Sequence, residues 1–456
     1  MNQMVTSDQL GVVRKLGYGV GDFGFGLFFL TASQYLLFYY TDVLGLTPST
    51  AGWVFGLALV WDAVFDPVMG GVANRTRTRW GRYRPYVLFG SVPLALSWAL
   101  IFLPTGLVGW PLVLFAGGAH ILFRTLYAVA YMPYLALSAA MTTDTNQRSS
   151  LAAYRMVGQA GAGVLAGLST LSFAARLGGG QLGFFRLALI FGGAAVLLCV
   201  IVYLTSRERA AVPGDRPSFA AMWRMLRGNG PFWLVCGALL IGYVAGVFFN
   251  KSIPYYVKYG LGRPDLIQKS LGLLALTVTL SIPIWAAIMR RNSKRGVFLA
   301  GSGIAMLAYA LLWLLPSVSF WIPLLALLGL GTGGVYLATW AMLPDTVEYG
   351  EWRSGVRAEG ALFGFVSLGQ KTSLGLAAVA LGQALGAIGY HANVAQSAGT
   401  LADLRLIMIG VPALFTAAMA GIIWFYPLNA DRHRELVREI GQRRSAHDAL
   451  GEGPTD

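Results

Sequence analysis

"LVWDAVFDPVMGGVANRTRTRWGRYRP", residues 59–85, begins as an apolar run and ends as a basic one. The first half has the aliphatic, aromatic and small residues of a helix in lipid, and the second carries Arg75, Arg77, Arg79, Arg82 and Arg84. An apolar stretch closed by such a cluster reads as a membrane span whose end stays on the cytoplasmic side. Two aspartates, Asp62 and Asp66, interrupt the apolar half. Charge inside a bilayer is expensive and tends to mark function, so these two residues pose the first chemical question.

The whole chain repeats this pattern. Of its 456 residues 56% are hydrophobic and only 12% charged, with a mean hydropathy of +0.61. Soluble chains carry about twice that charge fraction, so the composition excludes an ordinary soluble domain and predicts an integral membrane protein. The net charge of +14 gathers in short clusters between apolar segments, which is topology rather than a nucleic-acid surface. Cys199 and Cys236 both lie in apolar runs and imply neither a disulfide frame nor a metal site. The start, MNQMVTSDQLGVVRK, lacks a signal-peptide pattern, so the N-terminus is expected to be retained and cytoplasmic.

Twelve segments approach the roughly twenty residues a transmembrane helix needs. They lie near 18–41, 50–73, 85–104, 110–138, 151–174, 182–205, 231–257, 267–289, 296–315, 320–343, 359–389 and 402–427. Loops after even-numbered spans are mostly basic and those after odd-numbered spans nearly uncharged, with 258–269 an exception. This asymmetry places both termini in the cytoplasm of a multi-pass protein of the plasma (inner) membrane. The expected organisation is a six-helix bundle over 1–205, a cytoplasmic central loop over 206–230, a second six-helix bundle over 231–427 and a polar, partly helical cytoplasmic tail over 428–456. Six plus six with matching basic loops is the layout of a secondary transporter built from repeats.

Asp62 and Asp66 are four residues apart, so a helix puts them one turn apart on the same face. Two close carboxylates in a low dielectric repel, and the role this predicts is binding a coupling cation, either H⁺ or Na⁺, with a metal site formed by Asp62 and Asp66 only in the sodium case. Their placement at a wet helix end is the plainer alternative. Other intramembrane charges are Asp22, Arg124, Arg155 and Lys371. Lys371 reads as the only lysine set so deep in the second half, available as partner to the aspartates, as donor to substrate, or as half of a structural ion pair. Arg155 lies near its span's start, where snorkelling competes with a substrate role. Tyr35, Tyr39, Tyr131, Tyr134, Tyr336 and Trp340 are aromatic walls for a solute or ordinary packing. Arg79, Arg82 and Arg84 face an acidic counterpart on the same side, Asp345, Glu348 and Glu351 in "PDTVEYGEWRSGVRAEG" (344–360); together they are expected to form a cytoplasmic gate.

The stretches "YYTDVLGL" (39–46), "WDAVFDPVMGGVANRTRTRWGRYRPYVLFG" (61–90), "YMPYLALSAAMTTDTNQRSSLAAYRM" (131–156) and "LPDTVEYGEWRSGVRAEG" (343–360) resemble the glycoside–pentoside–hexuronide:cation symporter family, the branch of the major facilitator superfamily that includes the melibiose and glucuronide carriers. The resemblance runs to about residue 427. It implies an all-α membrane fold of twelve helices in two bundles, alternating access, and solute uptake coupled to Na⁺, Li⁺ or H⁺. Asp62 and Asp66 match the family's cation-site aspartates, Lys371 the lysine near them, Arg155 an arginine at the sugar pocket and Asp22 the acid of a first-helix "GD" element.

The departures are informative. Phe65 stands where the melibiose carrier has an asparagine of the cation site, and Ala128 where it has a threonine. The resemblance therefore implies a shell too poor for sodium and favours protons. Gly26 and Tyr131 replace the two sugar-gripping acids, while Leu135 and Tyr336 replace tryptophans. What remains for substrate is Asp22, Tyr131, Arg155, Tyr336 and Lys371, a set suited to an acidic sugar or a glycoside with an apolar aglycone.

The expected function is thus cation-coupled symport of a glycoside, uronide or related small solute by a monomer, without cofactor. A carrier of an amphipathic lipid on the same fold is the alternative. An enzyme is not indicated: His120, His391, His433 and His447 are scattered, and no nucleophile triad, metal-ligand spacing or phosphate loop occurs.

Overall fold

Lipid gives backbone N–H and C=O groups no partner, so uninterrupted apolar runs must satisfy themselves as helices. The computed structural model describes residues 10–142, 144–208, 219–356 and 359–449. The first nine residues, the middle of the expected central loop and the last seven residues of the tail lie outside them. Among the described residues there is no strand, only an isolated bridge between Thr78 and Gly81.

The spans are α1 (Val12–Phe38), α2 (Pro48–Arg75), α3 (Arg84–Ile101), α4 (Trp110–Met141), α5 (Thr145–Arg176) and α6 (Gly180–Thr205). After a short amphipathic α7 (Phe219–Arg227) follow α8 (Gly230–Tyr255), α9 (Leu266–Met289), α10 (Lys294–Leu314), α11 (Val318–Ser354) and α12 (Glu359–Ala387). The last span is α13 (Ala398–Arg405) joined to α14 (Val411–Trp424), and the tail forms α15 (Ala430–Ala449). Eleven of these segments are long and apolar enough to cross a membrane; α1, with 27 residues and Asp22 near its middle, is the twelfth long span.

Helix boundaries follow local chemistry. Thr47 caps α2 just before Pro48, and Asp144 caps α5 by accepting from Asn146 N at 2.7 Å. At the other end of its span, α11 does not stop near 343 as the charge pattern predicts. It continues through Pro344 and "DTVEYGEWRS" and ends at Gly355, whose φ of 70° suits glycine. A helix that has left the bilayer tolerates charge, so hydropathy alone places its end too early.

The first span of each half closes in the same way. α1 runs into a π turn at Tyr39–Val43 and α8 into one at Tyr256–Gly260. In both, the next leucine N–H reaches back five residues, Leu44 to Tyr39 O and Leu261 to Tyr256 O. Each turn is then followed by a glycine with positive φ, Gly45 and Gly262. This is the internal repeat written in backbone geometry.

Two compact units share the chain. The first comprises Met1–Gly214, Asn250–Ala275 and Leu374–Ile407; the second comprises Asp215–Phe249, Leu276–Ser373 and Met408–Asp456. In the first, α1 packs on α5 and α6, α3 on α4 and α6, and α2 on α4. In the second, α11 packs on α10 and receives α7 and α15, and α10 also packs on α14.

Candidate functional site

In the first unit α1 and α5 approach at glycines. A Cβ on Gly158 would lie 2.5 Å from Gly19 O, so only glycine allows this crossing. The close approach brings Asp22 of α1 to Arg155 of α5, whose Nε donates to Asp22 Oδ2 at 2.7 Å. The Arg155 guanidinium also lies 5.5 Å from the centre of the Tyr134 ring. Arg155 is therefore directed at Asp22 in the bundle, and the snorkelling alternative does not describe it. Tyr131 is half-buried beside this pair, 5.9 Å from Tyr134 and 5.1 Å from Phe25 between ring centres. Tyr134 itself is sealed, exchanging hydrogen bonds with Tyr18 in both directions between hydroxyl and carbonyl, at 3.0 and 2.7 Å. Tyr35 is also committed, donating to Gly167 O at 2.6 Å, and Tyr39 packs on Phe102 and Phe184. Tyr35 and Tyr39 are packing, while Tyr134, with its hydroxyl committed, flanks Arg155, and Tyr131 lies beside it as the half-buried aromatic.

Asp62 and Asp66 are both buried on α2, away from an exposed face where Trp61 and Phe65 stack at 5.9 Å. Phe65 is half-buried and brings a hydrocarbon ring, with no oxygen to offer. Asp62 Oδ2 lies 3.8 Å from Arg124 NH1 of α4, with both side chains 1% exposed. Arg124 Nε donates to His120 Nε2 at 3.3 Å. Ala128, a turn beyond Arg124, is fully buried and brings no oxygen.

The reading of Lys371 as the only deep lysine of the second half is corrected: Lys251 of α8 is 5% exposed. Its Nζ donates to Ser33 O at 2.7 Å and lies 3.8 Å from the centre of the Phe55 ring. The signal was present in "VFFNKSIPYY" (247–256), a lysine inside a predicted span. Lys371 is half-buried on α12, and Tyr336 is 43% exposed on α11 with its ring 6.3 Å from Trp340. Both belong to the second unit.

Arg79, Arg82, Arg84, Asp345 and Glu348 have partners within their own units. Arg79 lies over Trp80, Arg82 over Tyr83 and Arg84 over Tyr203, and Arg84 NH2 also donates to Tyr203 O at 2.6 Å. Glu208, which no sequence motif singles out, accepts from the backbone N–H groups of Arg82, Tyr83 and Arg84 at 2.7–3.0 Å. That is a carboxylate at a helix N-terminus. Its approach requires Gly81, with φ 112°, where a Cβ would sit 2.6 Å from Glu208 Oε1.

In the second unit Lys294 Nζ donates to both oxygens of Asp345, at 2.6 and 2.8 Å. His433 of α15 lies 3.4 Å from Asp345 and hydrogen-bonds Glu348. Glu351 is buried on α11. Asp345 and Glu348 therefore engage the tail helix.

Comparison with known proteins agrees with this architecture. The family model for MFS/sugar transport proteins matches residues 17–430. The glucuronide carrier protein homolog of Escherichia coli (strain K12) is 29% identical over 474 residues, covering 97% of this chain and 98% of that protein. The isoprimeverose transporter of Lactiplantibacillus pentosus is 30% identical over 450 residues, covering 96% and 93%. Among solved structures, an inward-facing bacterial homolog of the human lysosomal transporter Spinster superposes with a TM-score of 0.66 at 14% identity, covering 94% of this chain and 97% of that one. At that identity the likeness is one of fold.

Proposed function

The chain belongs to the MFS/sugar transport protein family, a family of transporters and not of enzymes, and from that premise we propose proton-driven import of an acidic sugar or related anionic glycoside. Membership makes it a multi-pass membrane protein and a secondary transporter of sugar-like solutes. The coupling ion, the solute class and the inner-membrane location with cytoplasmic termini are our reading.

The pair Asp22–Arg155 with Tyr131 beside it carries the substrate assignment. A guanidinium matches a carboxylate or sulfonate in bidentate fashion, and a tyrosine face suits a sugar ring. The position implied by resemblance to hold a galactoside-gripping acid, Gly26, has no room for one: a Cβ there would lie 2.8 Å from the Ala162 methyl. The E. coli relative's name, a glucuronide carrier homolog, supports the same solute class.

Asp62 and Asp66 carry the coupling assignment. Sodium requires several oxygen ligands, and with a phenyl at Phe65 and a methyl at Ala128, the two positions that would extend the shell contribute none. A proton needs only a carboxylate. Tyr336 and Lys371 are further proposed solute-binding residues, and Arg79, Arg82, Arg84, Asp345, Glu348 and Glu351 are the proposed cytoplasmic-gate residues.

The test is uptake into proteoliposomes of labelled glucuronides, neutral glycosides and lysolipids, with a pH gradient or a sodium gradient imposed separately. Accumulation of the glucuronide under the pH gradient alone is expected. Accumulation under the sodium gradient alone would overturn the coupling assignment, and preference for a neutral glycoside or lysolipid would overturn the solute class.

A further inference from the structure

The C-terminal end of α11 and the first turn of the tail helix bring together three side chains of metal-ligating type. Asp345 and Glu348 are three residues apart beyond Pro344, so they share a face of α11. His433 stands against them from α15, whose start is set by Asn429: its Oδ1 accepts from Arg432 N at 2.8 Å. Leu436, three residues further on, is fully buried in one core with Leu343 and Val347 of α11. That packing holds the His433 face of the tail helix toward α11.

The ligand atoms of the three residues all lie within 4.8 Å of one another. His433 Nε2 is 3.4 Å from Asp345 Oδ1 and hydrogen-bonds Glu348 Oε2. With bonds of about 2.0–2.1 Å, a tetrahedral zinc ion separates neighbouring ligands by roughly 3.3–3.4 Å, so the first contact already has the length of a coordination edge. The second has only to open. An imidazole with two carboxylates is a donor set for zinc, whereas magnesium and calcium take oxygen ligands. Exposure fits an entry path, since the His433 and Glu348 side chains are 26% and 30% exposed while Asp345 lies deeper at 8%.

Two neighbours bear on the site. Lys294 Nζ donates to both oxygens of Asp345 and offsets one of the two negative charges. Each carboxylate oxygen keeps a second lone pair, so this lysine competes with a cation without blocking it. Tyr426 is 2% exposed, and its hydroxyl has no hydrogen-bond partner among the described residues. Burial first, and then the Asp345 charge, push this phenol up, so it remains a protonated donor within the field of that carboxylate. An orphaned donor beside three ligands is what a water in a fourth coordination position would satisfy.

We propose that Asp345, Glu348 and His433 form a binding site for a divalent cation of the zinc class, which clips the tail helix to α11. Sequence spacing hides the site because 85 residues separate Glu348 from His433. Binding does not depend on the transport reading above, but its consequence does. Asp345 and Glu348 are proposed gate residues, so a bound ion should hold them in place and slow uptake.

The experiment titrates Zn²⁺ by calorimetry into tag-free, chelator-treated full-length protein in detergent, with Co²⁺ as the spectroscopic reporter of tetrahedral coordination. One ion per chain and a raised thermal midpoint are expected. His433→Gln and Glu348→Gln should each weaken binding by about a hundredfold or more, since losing even an outer partner of a ligand costs roughly 10–100-fold. His391→Gln, in the other unit, should leave it unchanged. Lys294→Met removes the competing cation and should tighten zinc binding by about tenfold, an opposite change that misfolding does not produce. A wild type that binds no zinc, magnesium binding as tight as zinc binding, or equal zinc affinity in the wild type and both glutamine variants would overturn the site. Weaker binding in Lys294→Met would overturn Asp345 as a ligand. Uptake into proteoliposomes with zinc on the tail side separates the two readings: zinc that binds without slowing uptake would confirm the site and refute the gate assignment.

Discussion

Lys258 Nζ donates to Asp42 Oδ1 at 2.7 Å, joining the π turn that ends α8 to the π turn that ends α1. The repeat thus closes on itself at its two matching turns. Asp42 also accepts from Tyr259 at 2.6 Å, from Tyr390 at 2.8 Å and from Thr41 at 2.8 Å, and Asn393 Nδ2 donates to its carbonyl at 2.8 Å. Burial first, and then the Asp42 charge, push the Tyr390 phenol far above its ordinary value, so it stays protonated and donates.

Asp42→Asn keeps the size but turns one acceptor into a donor and leaves Lys258 without its anion. The expected loss is about 3 kcal/mol, read as a lower thermal midpoint in detergent. Lys258→Met should cost less, about 1 kcal/mol, because that side chain is 25% exposed. If the transport cycle opens this end to solvent, as the proposed alternating access implies, Asp42→Asn should also speed thiol labelling of a cysteine at Gln396. Equal midpoints for wild type and Asp42→Asn would show the cluster to be dispensable.

Gly26 is walled by the Ala162 methyl, which a side-chain Cβ on Gly26 would approach to 2.8 Å. Gly26→Asp alone should therefore overpack α1 against α5 and cost about 1–3 kcal/mol. Gly26→Asp combined with Ala162→Gly restores the space, and the new carboxylate should raise affinity for a neutral galactoside in competition binding. A double variant as unstable as the single one would mean that the clash is not what excludes the acid.

Arg155 is the cation expected to meet an acidic solute, and Asp22 holds it in place at 2.7 Å. Arg155→Ala should weaken a labelled glucuronide by roughly a hundredfold, the scale of a lost desolvated charge pair. A neutral glycoside should lose far less. Equal losses for both probes would reassign Arg155 to architecture alone.

The spans were legible because lipid enforces helices wherever apolar runs are long enough, and the Asp62–Asp66 face was legible because helical spacing alone defines it. The partner of Asp62 was not. Spacing along α2 does not say which helix packs against it, and the 3.8 Å approach of Arg124 to Asp62 exists only because α4 packs on α2. The role of Asp42 was hidden for the same reason, since its partners come from residues 258, 259 and 390. Lys251 needed only the rule already applied to Lys371. The end of α11 is hidden in the sequence because charge ends only the hydrocarbon-crossing part of a helix, not the helix itself.

The tail helix carries the last test. "RHRELVREIGQ" (432–442) contains Leu436 and Ile440 four residues apart, an apolar stripe in a polar segment. In the structure Leu436 is fully buried in a core that includes Leu343, Val347 and Leu362. Trp352 is clamped beside it: its Nε1 donates to Glu439 at 2.6 Å, its carbonyl accepts from Arg443 at 2.8 Å, and Arg432 lies over its ring at 5.6 Å. The inner face of α15 is therefore a docked surface, and only its outer face is a solvated extension. Leu436→Ala should cost about 2–4 kcal/mol by leaving a cavity, whereas Val437→Ala, at an exposed position, should stay within about 0.5 kcal/mol. Because the same helix brings His433 to Asp345 and Glu348, undocking it should also free those two carboxylates. Leu436→Ala should then make Glu348 more reactive toward a water-soluble carbodiimide, detected by peptide mapping. A destabilised variant with unchanged Glu348 labelling would mean that His433 stays in place without the packing of its helix.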